Sequence, residues 1–539
     1  MTGVTDEEKE HRIREIQDYR LTHGMLLKEF DFGVHNNPRR LRQLWHRVSK
    51  KPRTLCACQV SETDLPWTTR PLAVSILPTP FPKHLFEQAR ELQPLFNELY
   101  LRVASDHEWL RQVLSPLIEH DPLVAGLWKI YQQVHNTDAK QHVVCGMFRS
   151  DYMIDARDST LKQVEMNVFS ASGFSHAQNV ANMHQHVQRT CGSSADLPRN
   201  ENIDEIANML AEAARIYCHQ LAPAQSEEAS PSIEAPQFPR PKPCILMIVQ
   251  PTNFNIADER PIEHALWSRN IPCYRCEWQD IPTRTQLLSD QNRTLLFHPP
   301  PNKQEPLQVS VIYYRAGYQP HEYLHIPSGM DSRLRLELSR AIKCPDIATH
   351  LTTCKTVQQA LTKERVVERF LSRPSSPYAD PASTKDIVAL KNTFVEMLSF
   401  DSPSSKHDWM NIISDPAKVE NYILKANGDG GGHNVYGGAI PAYLKDLQQE
   451  EWKKFILMRR IDSPRDAEGM LLLADDRLFQ GEVVRELGVA GTCIWRRQSE
   501  GVEVLWNRCV GWTLKTKPRG VEGMMVVKGV GAMDCPNLD

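Results

Sequence analysis

The stretch that most restricts what this chain can become is Tyr422–Gly437, YILKANGDGGGHNVYG. An apolar run leads into three consecutive glycines, Gly430, Gly431 and Gly432, with Gly428, Lys425 and Asp429 close by. A tight turn needs one or two glycines. Ordering three in a row costs backbone entropy, so something must offset it. A phosphate chain can: bare backbone N–H groups approach its oxygens closely, while Lys425 and a metal on Asp429 balance its charge. A hinge with no chemical role is the other reading. The loop has neither GxxxxGK[ST] nor strand–GxGxxG–helix spacing, so it is neither a Walker loop nor a dinucleotide fingerprint.

What surrounds the loop reads as α/β. Short runs rich in β-formers, CILMIVQ (244–250), VSVIYYR (309–315), NYILK (421–425) and KFILM (454–458), are expected strands. Helix-like stretches such as SRLRLELSRAIK lie between them. The run FPKHLFEQARELQPLFNELYLRVASDHEWLRQVL (81–114) has apolar residues three and four apart and predicts a helix with one buried face. Residues 222–243, rich in Pro, Ser, Ala and Glu, read as a linker or insertion. At 539 residues the chain is too long for one core, so two or three domains are expected. A net charge of −3 gives no basic footprint for nucleic acid. No run of about 18 apolar residues predicts a membrane span, and the N-terminus has no signal-like apolar region. Thirteen scattered cysteines, an odd number, point to reduced thiols and a cytoplasmic location. CYRC (273–276) has no second CxxC to complete a zinc set, and Cys56 and Cys58 are too close for that spacing.

Polar residues gather where expected strands end, which is where α/β folds place their chemistry. In LKQVEMNVFSAS, Glu165 and Asn167 are two apart, so a strand puts both on one face. A carboxylate and an amide there suit a hard cation such as Mg²⁺; a solvated strand face is the alternative. Arg149 and Asp151 precede them, and Ser170 and Ser172 follow. PTNFNIADER clusters Asn253, Asn255, Asp258, Glu259 and Arg260, either as ligands or as helix-capping residues. Arg315 and Tyr318 follow a strand, where an arginine could clamp a carboxylate or make a surface ion pair. Downstream, Met458 offers a soft contact for a purine, Glu486 a partner for a ribose or metal, and Lys515 and Lys517 two cations. A small-residue loop with Gly523, Gly529 and Gly531 closes the chain.

RSDYM, LKQVEMN..SAS, FNIADER.IE, YYRAGY, KCPDIATHL, LKANGDGGGHNVYG, ILMRRI, RELGVAG and LKTK follow one another in this order. In that order the chain resembles the eukaryotic glutathione synthetases over nearly its whole length. The resemblance implies an ATP-grasp fold: a mostly helical N-terminal part over 1–221 with a strand–loop at 149–173, the linker at 222–243, and a substrate-binding α/β domain over 244–342. An ATP-grasp domain over 343–539 would carry the Gly-rich loop (425–437) and a lid loop (521–534). The implied activity is ATP-dependent ligation of γ-glutamylcysteine to glycine through an acyl phosphate, by a homodimer, with ATP and one or two Mg²⁺ ions.

By the same resemblance Glu165, Asn167 and Asp429 hold Mg²⁺. Lys343, Lys425, Gly430 to Gly432, Asn434, Tyr436, Met458, Arg459, Arg460, Ile461, Glu486 and Lys517 hold ATP, with Glu165. Arg149, Ser170, Ala171, Ser172, Asn253, Asn255, Glu259, Arg315, Tyr318, Lys515, Val526 and Val527 hold dipeptide and glycine. Arg149, Lys515, Gly430 and Gly431 are the residues expected at the reacting atoms. There are four departures from the family pattern. Asp429 stands for a glutamate. Asn253 is neutral where the family is acidic, while Glu259 is acidic where it has glutamine, so the charge for the substrate's ammonium is expected to have moved to Glu259. Lys515 replaces an arginine and holds a carboxylate without the fork. The lid, MMVVKG, is bulkier. Rival readings are a ligase of this fold with another dipeptide or acceptor, and an inactive paralogue kept as a dimer partner; Glu165, Asn167, Lys343, Lys425 and Asp429 speak against the second.

Overall fold

A computed structural model of the chain describes residues 5–30, 67–137, 141–192, 194–221, 243–251, 253, 255–300, 305–372, 381–401, 406–427, 434–499, 501–524 and 526–538. Gly428, Asp429, Gly430, Gly431 and Gly432 lie outside the described residues, as do Cys56, Cys58 and all but the last residue of the expected linker.

Two sheets position the site. The larger has thirteen strands among the described residues. Its axis is the strand Val143–Asp155. One edge of that strand pairs antiparallel with Leu478–Arg497, which in turn pairs with Val502–Pro518. The other edge meets Ile342–Cys344 at Val144 and, from Arg149 onward, the antiparallel strand Thr160–Asn167. Beyond Ile342–Cys344 the sheet continues in parallel through Leu307–Tyr314, Pro243–Val249 and Cys273–Glu277. The continuous apolar runs of these strands follow from cover on both faces. Leu246, Ile248 and Ile312 enter one core with Phe86 and Phe96. Ile245, Met247 and Val311 enter the opposite one with Ile206, Leu210 and Tyr217 of the helix Asn202–Leu221. Each such side chain contributes about 1.5–3 kcal/mol by leaving water.

The smaller sheet is antiparallel: Met397–Ser399, Phe455–Arg459, Tyr422–Ala426 and Val435–Tyr436. One face covers its own core of Trp409, Ile412, Leu424, Ile440, Leu444 and Leu457. The other puts Val395, Met397, Ile456, Met458 and Ile461 against Met153 and Val164 of the larger sheet. That seam sets the smaller sheet beside the strand that carries Glu165.

The run 81–114 forms two helices rather than one, Lys83–Val103 and His107–His120. Asp106 accepts the Trp109 N–H at 3.0 Å and so starts the second helix. No helix among the described residues is long and apolar enough to cross a membrane.

Candidate active site

The register of Val143–Asp155 against Thr160–Asn167 sets Arg149 opposite Asn167 and Asp151 opposite Glu165. Four polar side chains therefore meet across one strand pair. Arg149 chelates Asp151 at 2.6 and 2.7 Å and donates to the Ser172 carbonyl at 2.5 Å. Asn167 Nδ2 reaches Asp151 at 3.2 Å and Glu165 at 3.3 Å. From the neighbouring hairpin Lys515 pairs with Glu486 and reaches Asp151 at 3.5 Å. Gly488 makes this convergence possible: a Cβ there would stand 2.7 Å from Asp151 Oδ1 and 2.9 Å from Arg149 Cδ.

Two further lysines close on Glu165. Lys355 Nζ lies 2.8 Å from Oε2, and Lys425 Nζ donates to the Val164 carbonyl at 2.9 Å. Burial raises the Glu165 carboxyl, but Lys355 and Lys425 outweigh it and hold it well below the usual carboxylate range. Burial lowers the Lys425 ammonium to about 8 against the pull of Glu165. For Lys515, burial is overcome by Asp151 and Glu486, and its pKa rises. Arg149, Lys355, Lys425 and Lys515 thus face Asp151, Glu165 and Glu486, more cation than carboxylate. Such a charge surplus favours a polyanion.

A second cluster caps the parallel strands. Arg315 pairs with Asp258 at 2.8 Å and Glu259 at 3.4 Å, and donates to the Ala171 carbonyl at 2.5 Å. Asp258 also accepts the N–H groups of Gly173 and Ser175 at 3.0 and 2.9 Å. Glu259 accepts from Asn253 at 2.6 Å and Arg275 at 2.8 Å. Glu259 is 1% exposed and two guanidiniums already balance it, so the negative charge expected for a substrate ammonium is spent within the protein. The segment 170–173 joins the clusters, because Arg149 and Arg315 grip adjacent carbonyls in it. Ser170 there holds φ at +52°, a strained value for a side-chain-bearing residue, of the kind that collects at functional sites.

The remaining expected residues fall in several places. Asn434, Tyr436 and Glu486 come together near Glu522 and the Gly523 N–H. Lys517 donates to the Val521 carbonyl at 2.6 Å, and burial lowers its pKa. Met458 and Ile461 line the seam between the sheets, while Arg459 and Arg460 are exposed. Tyr318 donates to Gln250 at 3.2 Å. Asn255 stands at the start of the helix Ile256–Ser268 without a capping side-chain bond. Val526 is buried with Ile16, Met25 and Leu27, and the Val527 carbonyl accepts from Arg70 at 2.8 Å.

Lys343 is not brought to the carboxylates. It pairs with Val144, five residues before Arg149, and its ammonium donates to the Ser339 carbonyl near Glu337 and Asp346. The cation that reaches Glu165 instead is Lys355, for which sequence reading had no signal: a lysine opening KTVQQAL looks like any solvated helix start. Asp151 and Asp258 were visible as charged residues but not as the hubs of the two clusters.

Among the described residues no group of three His, Cys, Asp or Glu side chains is arranged to hold a metal. Glu165 Oε1, free of Lys355 and accepting the Asn167 N–H at 3.3 Å, and the amide oxygen of Asn167 are hard donors and fit Mg²⁺, which keeps several waters and phosphate oxygens as ligands.

Comparison with known proteins gives this arrangement its setting. The family described as "Eukaryotic glutathione synthase, ATP binding domain" matches residues 6–538. The chain is 32% identical to the glutathione synthetase of Xenopus laevis over 471 residues, 86% of this chain and 89% of that one. It is 28% identical to the glutathione synthetase large chain of Schizosaccharomyces pombe over 550 residues, 99% and 98% of the two chains. A glutathione synthetase-like effector from Globodera pallida, solved in its apo form, matches with a TM-score of 0.65 over 98% of this chain and 96% of that one; at 19% identity the likeness is one of fold. The mixed α/β architecture is consistent with ATP-grasp. Its sequence, matched almost end to end, makes the chain a member of the eukaryotic glutathione synthase family.

Proposed function

We propose that this protein is a glutathione synthetase, joining γ-glutamylcysteine to glycine with conversion of ATP to ADP and phosphate. The observation that carries the reading is the charged cluster in which Arg149, Lys355, Lys425 and Lys515 outnumber Asp151, Glu165 and Glu486, with the Glu165 side chain 28% exposed. Phosphoryl transfer asks a protein mainly for positioning and charge stabilisation, and surplus cations around a metal-binding carboxylate supply both. Glu165 and Asn167 would hold Mg²⁺ together with Asp429, which lies outside the described residues. A dication held there would supply positive charge to offset that of the phosphates.

In this reading Lys425 and Lys517 bind phosphate oxygens, and Met458 and Ile461 offer the apolar seam to the purine. Arg149, fixed by Asp151, points its guanidinium along the Ser170–Ser172 segment, where the cysteinyl carboxylate would lie. A carboxylate oxygen attacks the γ-phosphorus and ADP leaves. Glycine's amine then attacks the acyl carbon, the C–O bond breaks, and phosphate departs with that oxygen. Lys515 is the cation for the glycine carboxylate. Exclusion of water protects the acyl phosphate. We assign Lys343 no contact with the phosphates.

Two copies per assembly and a cytoplasmic location complete the reading; the eleven described cysteines, all free, support a reducing compartment. The test is product identification by mass after incubation with γ-glutamylcysteine, glycine and MgATP. Glutathione and ADP in equal amounts are expected. ADP release that ignores glycine but follows another amino acid would reassign the acceptor.

A further inference from the structure

Glu165 and Lys425 belong to different sheets, yet the site needs them at a fixed spacing. Among the described residues three polar contacts tie the two strands together, and two of them come from one short element that belongs to neither sheet. The helix Lys355–Leu361 begins at the junction. Its first residue, Lys355, holds Glu165 Oε2 at 2.8 Å. Its second, Thr356, donates from both N–H and Oγ1 to Asn427 Oδ1, at 2.6 and 2.9 Å. Asn427 follows the Lys425 strand directly, and its N–H and Nδ2 both reach the Lys454 carbonyl at 3.0 Å, which leaves its side chain no freedom. The third contact is Lys425 Nζ to the Val164 carbonyl. Lys355, Thr356 and Asn427 are all buried.

We propose that Lys355 and Thr356 are positioning residues: a two-residue clamp that fixes Glu165 against the end of the Lys425 strand. Lys355 occupies Oε2, and Oε1, which accepts only the longer 3.3 Å N–H of Asn167, is the oxygen left for the dication, so the carboxylate would bind through one oxygen in one orientation. Thr356 anchors the same helix to Asn427, so the lysine cannot move without moving the strand that carries Lys425. Partners of this kind orient metal ligands, and their loss typically costs about 10–100-fold in metal affinity. The inference rests on the nucleotide reading of the cleft.

The test is calorimetric titration of ATP into the full-length protein at several Mg²⁺ concentrations, with thermal unfolding recorded for each variant. Lys355→Met should raise the Mg²⁺ needed for half-maximal nucleotide binding by about tenfold or more. Lys355→Arg should restore most of it, because a guanidinium can hold the same oxygen. Thr356→Val should shift it in the same direction by less, since the N–H bond to Asn427 remains. Equal Mg²⁺ dependence in Lys355→Met and wild type overturns the clamp, as does a shift in unfolding temperature with no change in Mg²⁺ dependence. Should Lys355→Met not fold, Thr356→Val and Lys355→Arg carry the comparison, and unchanged Mg²⁺ dependence in Thr356→Val overturns it. Wild-type protein that binds no MgATP overturns the nucleotide reading itself, a failure distinct from a clamp that proves dispensable in a protein that does bind.

Discussion

The two charged clusters, joined by residues 170–173, differ in how completely they satisfy themselves. Around Arg315 every charge has its partner inside the protein: Arg315, Asp258 and Glu259 are at most 2% exposed. Around Glu165 the cations exceed the carboxylates, and the Glu165 side chain keeps 28% of its surface. A closed, balanced cluster behaves as a brace, because a buried charge that loses its partner is expensive. An open, unbalanced one has binding capacity left over for an anion and its counter-ion. Both bring together cations and carboxylates from separate parts of the chain, so having charged residues does not separate them; pairing does.

The largest expected effect breaks the brace. Arg315→Met should leave Asp258 and Glu259 buried without their shared cation and cost about 3–5 kcal/mol of stability, read as earlier unfolding in guanidinium. Near wild-type stability would mean the cluster is open after all. Next, Glu165→Gln should fold normally but lose more of its activity than the about 10–100-fold typical of a metal ligand's partners. Glu259→Gln sharpens the contrast: it should cost about 1.5–3 kcal/mol of stability through weakened bonds to Arg275 and Arg315, while the dipeptide KM stays within about threefold. A larger KM change with intact stability would return Glu259 to the role its sequence position suggested.

The smallest effect concerns pH. The Lys425 ammonium, lowered by burial to about 8 from an ordinary 10.5, is charged at pH 7 and largely neutral at pH 9. Affinity for MgATP should therefore fall by up to about tenfold over that range. Stability moves the other way for this group. Between about 8 and 10.5 the unfolded chain binds the proton that the folded chain has lost, so Lys425's contribution to stability rises with pH. Calorimetry at pH 7, 8 and 9 beside denaturant titrations separates the two trends.

What could be read beforehand follows from how local each signal is. The pair Glu165 and Asn167 was legible because a strand's period is two, and CILMIVQ because a strand covered on both faces is apolar throughout. Lys355 was not, because its partner is 190 residues away. Lys515 reaches Asp151 across 364 residues. Gly488 sat in a motif that matched the family, but its reason, the close approach of Arg149 and Asp151, exists only once three strands are side by side. The partners of Glu259 could not be read from its motif, because Arg275 and Arg315 sit on and after other elements 16 and 56 residues away. The helix break at 104–106 was hidden because the apolar spacing runs straight through it.

The central claim is that this cleft activates a carboxylate by phosphorylating it. The most direct measurement uses γ-glutamylcysteine labelled with ¹⁸O in its cysteinyl carboxylate, followed by mass analysis of the phosphate released with glycine and MgATP. The account predicts one labelled oxygen in each phosphate. Unlabelled phosphate, with product formed at the normal rate, would contradict it.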